Sequence, residues 1–367
     1  MNRFPSHHTA LRLCALLTAL LALAGCRREL EYDYRPYCEV ALEVDWSALS
    51  ERPEGMSVYF YPADGGKPSL TLTNQVDGAR VSVREGVYNV LVFNQSTSEF
   101  GSLVFSGMDS FLTAQVEAAG KDFNEVDRTP DAEPTVCEPE EIAVATYERL
   151  SITRDMIVSY QQELMAASRE ARAAATLRLK PQPVVTTADV EVEVNGVQNV
   201  RAVRGYVTGM ASGCRLATHQ TTTATVTHVM DRWDILHSET DYTRGSIATR
   251  FTTFGKPGQT AGLPTEPRGA SSRADTDHLL RLELLLVDNQ TIVSTLYAIG
   301  ERIEELQEAL RLRIAIGADA GTLPPEDSDN PNLPLQLPDV KPTDAPASGF
   351  DATVGDWGEE EQIDVGL

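Results

Sequence analysis

Thiols, imidazoles and carboxylates are the groups in this chain that could carry chemistry, and their spacing decides which kind. Leu23-Ala24-Gly25-Cys26 closes an apolar run that begins at Leu11, behind a weakly basic leader holding Arg3 and Arg12. The stretch from Leu13 to Ala24 is too short to span a bilayer comfortably and has the length of a signal-peptide core. Small side chains at Ala24 and Gly25 admit a protease to the backbone, and Cys26 supplies a thiol for acylation. The spacing therefore predicts cleavage between Gly25 and Cys26 and lipid attachment at Cys26. Each acyl chain adds roughly 0.8 kcal/mol per buried methylene, so the mature chain would be held to a membrane surface. An ordinary secretory leader or an uncleaved anchor is the alternative. No second apolar run of spanning length follows, because Leu279 to Val287 is interrupted by Arg281 and Glu283.

The other candidates lack the company that chemistry needs. His219, His228 and His237 stand nine residues apart in a threonine-rich β region, and an odd separation puts successive side chains on opposite faces of an uninterrupted strand. That spacing argues against metal ligation. Asp231, Asp234, Glu239 and Asp241 form an acidic neighbourhood with Trp233 that could bind a cation or a sugar, or simply be a solvated loop. Trp233 and Trp357 could stack on sugars, although tryptophan in a sandwich is more often core. No nucleophile elbow, phosphate loop, zinc-protease pair or dinucleotide fingerprint occurs. The expectation is a protein without catalytic residues, metal or cofactor, although a scattered triad leaves no local signature.

Composition narrows the partners. The 367 residues carry a formal charge of −23, and a chain starting at Cys26 would set 29 basic residues against 54 acidic ones. Such a balance repels nucleic acid and gives no polybasic grip on lipid. With Cys14 lost and Cys26 acylated, Cys38, Cys137 and Cys214 remain, without CxxC spacing. A bridge between Cys38 and Cys137 would close the first domain near its ends; free buried thiols are the alternative.

The elements that would position these groups are mostly strands. After a lipidated tether at 26–37, short strand signals recur through a first domain at 38–140: Val40 to Trp46, Met56 to Pro62, Ser69 to Thr73, Ala79 to Arg84, Val87 to Asn94, Leu103 to Phe105 and Leu112 to Val116. Asp64-Gly65-Gly66 and Asp77-Gly78 supply turns. Acids and prolines between Lys121 and Glu141 read as a connection, and 141–180 reads as a connecting segment with a helix at 154–177, from the spacing of Met156, Ile157, Tyr160 and Leu164. A second domain at 181–320 opens with Val190 to Val194, a hairpin at Asn195-Gly196 and a strand from Val197 to Val203. Further strands are expected at Tyr206 to Met210, Thr222 to Met230 and Ser246 to Phe254, with a hairpin of Leu279 to Leu286 and Thr291 to Tyr297. Glu301 to Ile314 fits a strand or a helix. A Pro-rich loop at 321–348 and a closing strand and tail at 349–367, carrying Phe350 and Trp357, complete the chain. The fold class is mainly β, with two tandem antiparallel sandwiches.

Taken with the segments Tyr32-Asp33-Tyr34 to Trp46, Tyr59 to Pro62, Gly86 to Asn94, Asn199 to Gly205, Gly209 to Gly213, Phe254-Gly255 and Gly349 to Trp357, the Cys26 motif resembles fimbrillin-like cell-envelope lipoproteins of Bacteroidales. The resemblance implies two transthyretin-like or Ig-like sandwiches, an outer-membrane address, and a non-enzymatic role in adhesion, fimbrial anchoring or assembly, with other fimbrial subunits as partners. In pilus-forming relatives a protease removes an N-terminal strand after an arginine, and Arg27, Arg28 and Arg35 are available for such a cut. The alternative function is a surface lipoprotein that binds host or cell-surface glycans.

Overall fold

The alternating and β-branched runs become strands, and their burial follows from how many faces each sheet has covered. In the computed structural model residues 36–121, 133–166, 172–261, 278–300, 303–306, 311–317 and 332–342 are described. Gly25, Cys26, Arg27, Arg28 and Arg35, most of the Pro-rich loop, and the closing strand predicted at 349–367 with Trp357 lie outside them. The first half contains β1 (Tyr37–Val44), β2 (Met56–Pro62), β3 (Ser69–Thr73), β4 (Gly78–Arg84), β5 (Gly86–Asn94), β6 (Leu103–Ser106), β7 (Gln115–Ala118), β8 (Thr135–Val136), β9 (Ala143–Ile152), the helix α1 (Arg154–Ala166), and β10 (Ala175–Leu179). There follow β11 (Gln182–Pro183), β12 (Thr186–Asn195), β13 (Val200–Ala211), β14 (Gly213–Arg215), β15 (Gln220–Thr221), β16 (Thr225–Met230), β17 (Asp234–His237), β18 (Arg244–Thr253), β19 (Leu279–Leu286), β20 (Ile292–Ala298), β21 (Ile303–Leu306), β22 (Arg311–Ile316) and β23 (Leu335–Gln336). Among the described residues no helix is long and apolar enough to cross a membrane.

Sheet β11-β9-β5-β2-β3 is the centre of the first half. Successive residues of a strand point to opposite faces, and here both faces are covered. Val58, Phe60, Val90, Val92, Ala143 and Ala145 belong to one core with Cys38, Val40 and Leu42 of sheet β10-β1-β4. Tyr59, Tyr61, Leu91, Phe93, Ile142 and Val144 belong to another, opposite Val116 and Cys214 of sheet β15-β14-β7-β6. Double coverage explains why β2 and β5 read as unbroken apolar runs rather than alternation.

A third core fills the sandwich formed by sheets β17-β18-β12-β22-β21 and β20-β19-β13-β16-β8. The expected sandwich architecture is thus present, and strands cross between its halves. Gly213–Arg215 of β14 pairs with β7, and Thr135–Val136 of β8 pairs with β16.

Several local expectations change for physical reasons. Residues 143–152, expected in a connecting segment, form β9 beside β5, with Ala143 and Val144 buried on opposite faces. Small residues and the charged Glu148-Arg149 weaken its strand signal, and a bulge absorbs the charges: Arg149 has φ 57° and its N–H donates to Asn89 Oδ1 at 3.0 Å. The helix occupies 154–166, not 154–177, because Leu177 and Leu179 are drawn into the first core as part of β10, parallel to β1. Tertiary pairing overrides the alanine-rich propensity there.

Asn195-Gly196 makes no hairpin. Gly196, at φ 90°, leads into a single 3-10 turn, Val197–Asn199, which buries Val197 and carries the chain from β12 to β13 in the facing sheet. The hairpin of β19 and β20 does form, with Leu285 opposite Ile292. The strand expected at 112–116 begins at Gln115, and 301–314 contributes two paired strands, β21 and β22, rather than a helix. Cys38, Cys137 and Cys214 are all free thiols, so the Cys38–Cys137 bridge is absent.

Phe93 is fully buried and stacks on Tyr59 and Phe105 at 5.9 and 5.4 Å in the core that both halves share. Phe93→Ala should cost about 3–5 kcal/mol. Because that core takes in Ala211, Cys214, Leu216 and Phe254, urea unfolding monitored by single-tryptophan versions retaining Trp46 or Trp233 should show the same lowered midpoint for both probes. A shift confined to Trp46 would show that the halves unfold independently.

Candidate functional site

The residues that follow the predicted lipid site enter the fold as β1, so this strand is where an N-terminal tether would meet the protein. Its sequence, Tyr37-Cys38-Glu39-Val40-Ala41-Leu42-Glu43-Val44, alternates, and Cys38, Val40, Leu42 and Val44 are buried. β1 is an inner strand, with β4 on one side and parallel β10 on the other, in register from Val40↔Ala175 to Val44↔Leu179. Backbone bonds extend this pairing at both ends, Ala174 N–H to Glu39 O and Asp45 N–H to Leu179 O. Trp46 closes the strand, its Nε1–H donating to the Val76 carbonyl at 2.8 Å.

The outward face of β1 is electrostatically matched to its neighbours. Glu39 pairs with Arg80 of β4 at 3.1 Å, Glu43 with Arg178 of β10 at 2.8 Å, and Asp45 with Lys180 at 3.6 Å. Hydrogen bonding to Ser47, aided by Lys180, holds the Asp45 carboxyl below the usual carboxylate range. Exposed pairs such as these contribute little individually, but they favour one register. Sequence patterning alone did not single them out; the signal is acids at 39, 43 and 45 with cations at 80, 178 and 180.

The residues that could have carried chemistry are placed apart. His219 sits in a turn at φ 55°, its pKa lowered by burial. His228 lies in β16, 1% exposed against Phe251, with neither ring nitrogen hydrogen-bonded, and burial pushes its pKa down to about 4. His237 is on the surface, stacked flat on Tyr242 at 4.1 Å. Among the described residues no group of three His, Cys, Asp or Glu side chains gathers as metal ligands.

Asp231 is committed to Arg204 at 3.1 Å and Lys121 at 3.5 Å, and Asp241 caps its own turn through Thr243. Trp233 packs over Gly205, where an added Cβ would lie 2.5 Å from its Cζ2, and its Nε1–H donates to the Met230 carbonyl. It is a packing residue with a satisfied polar edge, not a projecting platform. The buried thiol of Cys214 is pushed up to about 12 by desolvation and stays protonated, hence poorly nucleophilic.

Fold and site together define a mainly β protein of stacked sheets, in which the candidate polar groups serve turns, strand pairing and packing. A family model described as a domain of unknown function, DUF5119, matches residues 25–231, and the chain belongs to that family. It is similar, at 24% identity over 360 residues covering 95% of this chain and 96% of the relative, to a Bacteroides ovatus protein whose name proposes it as the fimbrium anchoring subunit Fim4B. Its fold matches the crystal structure of a candidate adhesin from the same species with a TM-score of 0.55 at 20% identity, covering 86% of this chain and 98% of that one. The resemblance to fimbrial envelope proteins is borne out for family and fold.

His228 sets an acid limit on this fold. Its folded pKa, about 4, lies below the ordinary value near 6.5, so an unfolded chain takes up a proton that the native one refuses. The stability that neutral His228 permits is complete above pH 6.5 and falls as pH drops toward 4, by roughly 3 kcal/mol in all. Denaturation measured from pH 7 to 4 should show this slope in the native sequence and a shallower one in His228→Leu. The half-buried His219 contributes in the same sense, so some slope should persist.

Proposed function

We propose that this chain is a lipid-anchored, non-enzymatic protein of the outer membrane that anchors or assembles fimbriae and contributes to adhesion. The observation that carries this reading is similarity along nearly the whole chain to a protein named for fimbrium anchoring. Two features support it. Leu23-Ala24-Gly25-Cys26 has the order of a lipoprotein cleavage site, with Gly25 and Cys26 flanking the cut. From Cys26 to Tyr37 the chain could reach roughly 36 Å when extended, enough to hold the first strand clear of a lipid surface.

The position of the arginines favours anchoring over strand exchange. Arg27, Arg28 and Arg35 all precede β1, so a cut after any of them would part the fold from its lipid without removing a described strand. A subunit that keeps β1 and its lipid would end a fibre rather than continue one. In the same reading a tether at 26–37 leads into a first sandwich that runs past residue 140 to take in β9 and β10, followed by a second that opens with β12 and β13. The glycan-binding alternative is less favoured in this reading, because Trp233, half-buried, already packs on Gly205.

Labelled palmitate supplied to cells making the native sequence should appear on the protein, and Cys26→Ala should abolish the label and move the protein out of the membrane fraction. Label that persists in Cys26→Ala, or is absent from the native protein, would refute the anchor. Digestion by protease added to intact cells would place it on the outer face; protection would place it on the inner one.

A further inference from the structure

The chain enters the fold at one end of the first half, and α1 lies at that same end. Ile152 of β9 pairs with Gly86 at the start of β5, and α1 begins two residues later at Arg154. Its far end is tied back. The Arg172 N–H donates to Glu163 Oε2 at 3.2 Å, and two residues on the Ala174 N–H donates to the Glu39 carbonyl near the start of β1. Ile157 and Tyr160 fix the helix on the first core, which also holds Cys38 and Val40. The last turn of α1 and the origin of the tether are therefore neighbours.

The outward side of α1 is apolar where a solvated helix would be polar. Val158 and Met165 are 46% and 86% exposed, and Leu164 flanks them at 40%. At about 100° per residue Arg154, Val158 and Met165 fall within roughly 40° of one another, whereas Asp155 and Glu163 lie outside that sector, Glu163 nearly opposite. In a chain of formal charge −23 this stripe carries a cation and no acid. Headgroup phosphates that the net charge of the chain would repel are accepted here.

We propose that the Val158–Met165 stripe of α1 rests in the headgroup boundary of the membrane, with Val158, Leu164 and Met165 entering the acyl layer and Arg154 meeting phosphate. This rests on the lipid-anchor reading, because the tether selects the occupant: residues 26–37 reach roughly 36 Å at most, so a chain acylated at Cys26 keeps the start of β1 within that distance of lipid. Three apolar side chains would hold a free protein only weakly. Beside a surface to which the chain is already joined the contact is intramolecular, and weak affinity is enough. The contact orients the fold. Leu72 stands opposite Ser57, next to the Met56–Asn94 pair, roughly 26 Å along β5 from Gly86, and so points away from the lipid.

The probe is a vesicle of phosphatidylethanolamine and phosphatidylglycerol with brominated acyl chains and nickel-chelating lipid, on which the full mature chain is held by a histidine tag in place of Cys26. Emission from Met165→Trp, with the native signal of Trp46, Trp233 and Trp357 subtracted, should shift to the blue. It should be quenched at least about twofold more than that of Leu72→Trp, the exposed control at the far end. Val158→Glu in the Met165→Trp background should remove the difference, and an unchanged thermal midpoint will show that this variant is folded. Equal quenching of Met165→Trp and Leu72→Trp, or quenching indifferent to Val158→Glu, would overturn the proposal. So would protection of Met165→Trp from aqueous iodide with no vesicle present, the sign of a second copy or another part of the chain on the stripe. Chelating lipid replaces the acyl chain, so a failure here leaves the palmitate result on Cys26 standing, and an absence of palmitate leaves this measurement intact.

Discussion

The constraint on which the rest of the structure depends is that the central sheet is buried on both faces. A sheet with one wet face needs a single partner layer; this one needs two, and the chain supplies them from distant segments. One face is closed by β10-β1-β4, whose strands come from residues 37–179, and the other by β6 and β7 with β14 and β15. The second closure requires residues 213–221, which lie beyond β12 and β13. A strand pair that follows the first two strands of the second sandwich therefore completes the first, and the first half cannot bury its apolar surface fully without residues from the second.

This sharing shapes what the polar residues can do. An unpaired buried carboxylate or imidazolium would be costly between such layers, so charges are held at the surface or matched. Arg204, nearly buried, is answered by Asp231, which also reaches Lys121 across the sequence. Glu133 accepts from the Gly209 N–H at 3.0 Å and from Thr225 Oγ1 at 2.6 Å, pinning the entry to β8 against the bulge of β13. The acidic composition is thereby spent on register and turns as well as on solubility, and among the described residues no cluster of unmatched carboxylates is left inside.

Most strands were legible because alternation or β-branched runs are local properties: β2 and β3 begin and end where their residue patterns do, at Met56–Pro62 and Ser69–Thr73. What was illegible depended on pairing. Nothing in Ala143 to Ile152 announces a strand until β5 lies beside it, and Ala175 becomes strand rather than helix only because β1 offers a parallel neighbour. Asn195-Gly196 carries the turn chemistry of a hairpin; whether the next strand folds back in the same sheet or crosses to the facing one is decided by where Val197 can be buried. The site was legible in a complementary way. The cleavage proposed at Cys26 rests on residues read one by one, whereas the exposed edge at Leu70 and Leu72 is visible only once β3 is known to end its sheet.

The placement of β1 bears on how firmly the start of the fold is held. β1 is an inner strand of its sheet and not a free edge, so a load along its own axis would act on paired strands at both sides. The hydrogen bonds to β10 lie across that axis, and five consecutive register pairs from Val40 to Val44 would be sheared together rather than opened one at a time. Sliding the strand by one residue would turn Cys38, Val40 and Leu42 out of the core and bring Glu39 and Glu43 in, so the apolar alternation itself resists slippage. The ion pairs with Arg80 and Arg178 oppose the same displacement from the outer face. The apolar alternation inside and the ion pairs outside thus hold β1 to one register against the first core.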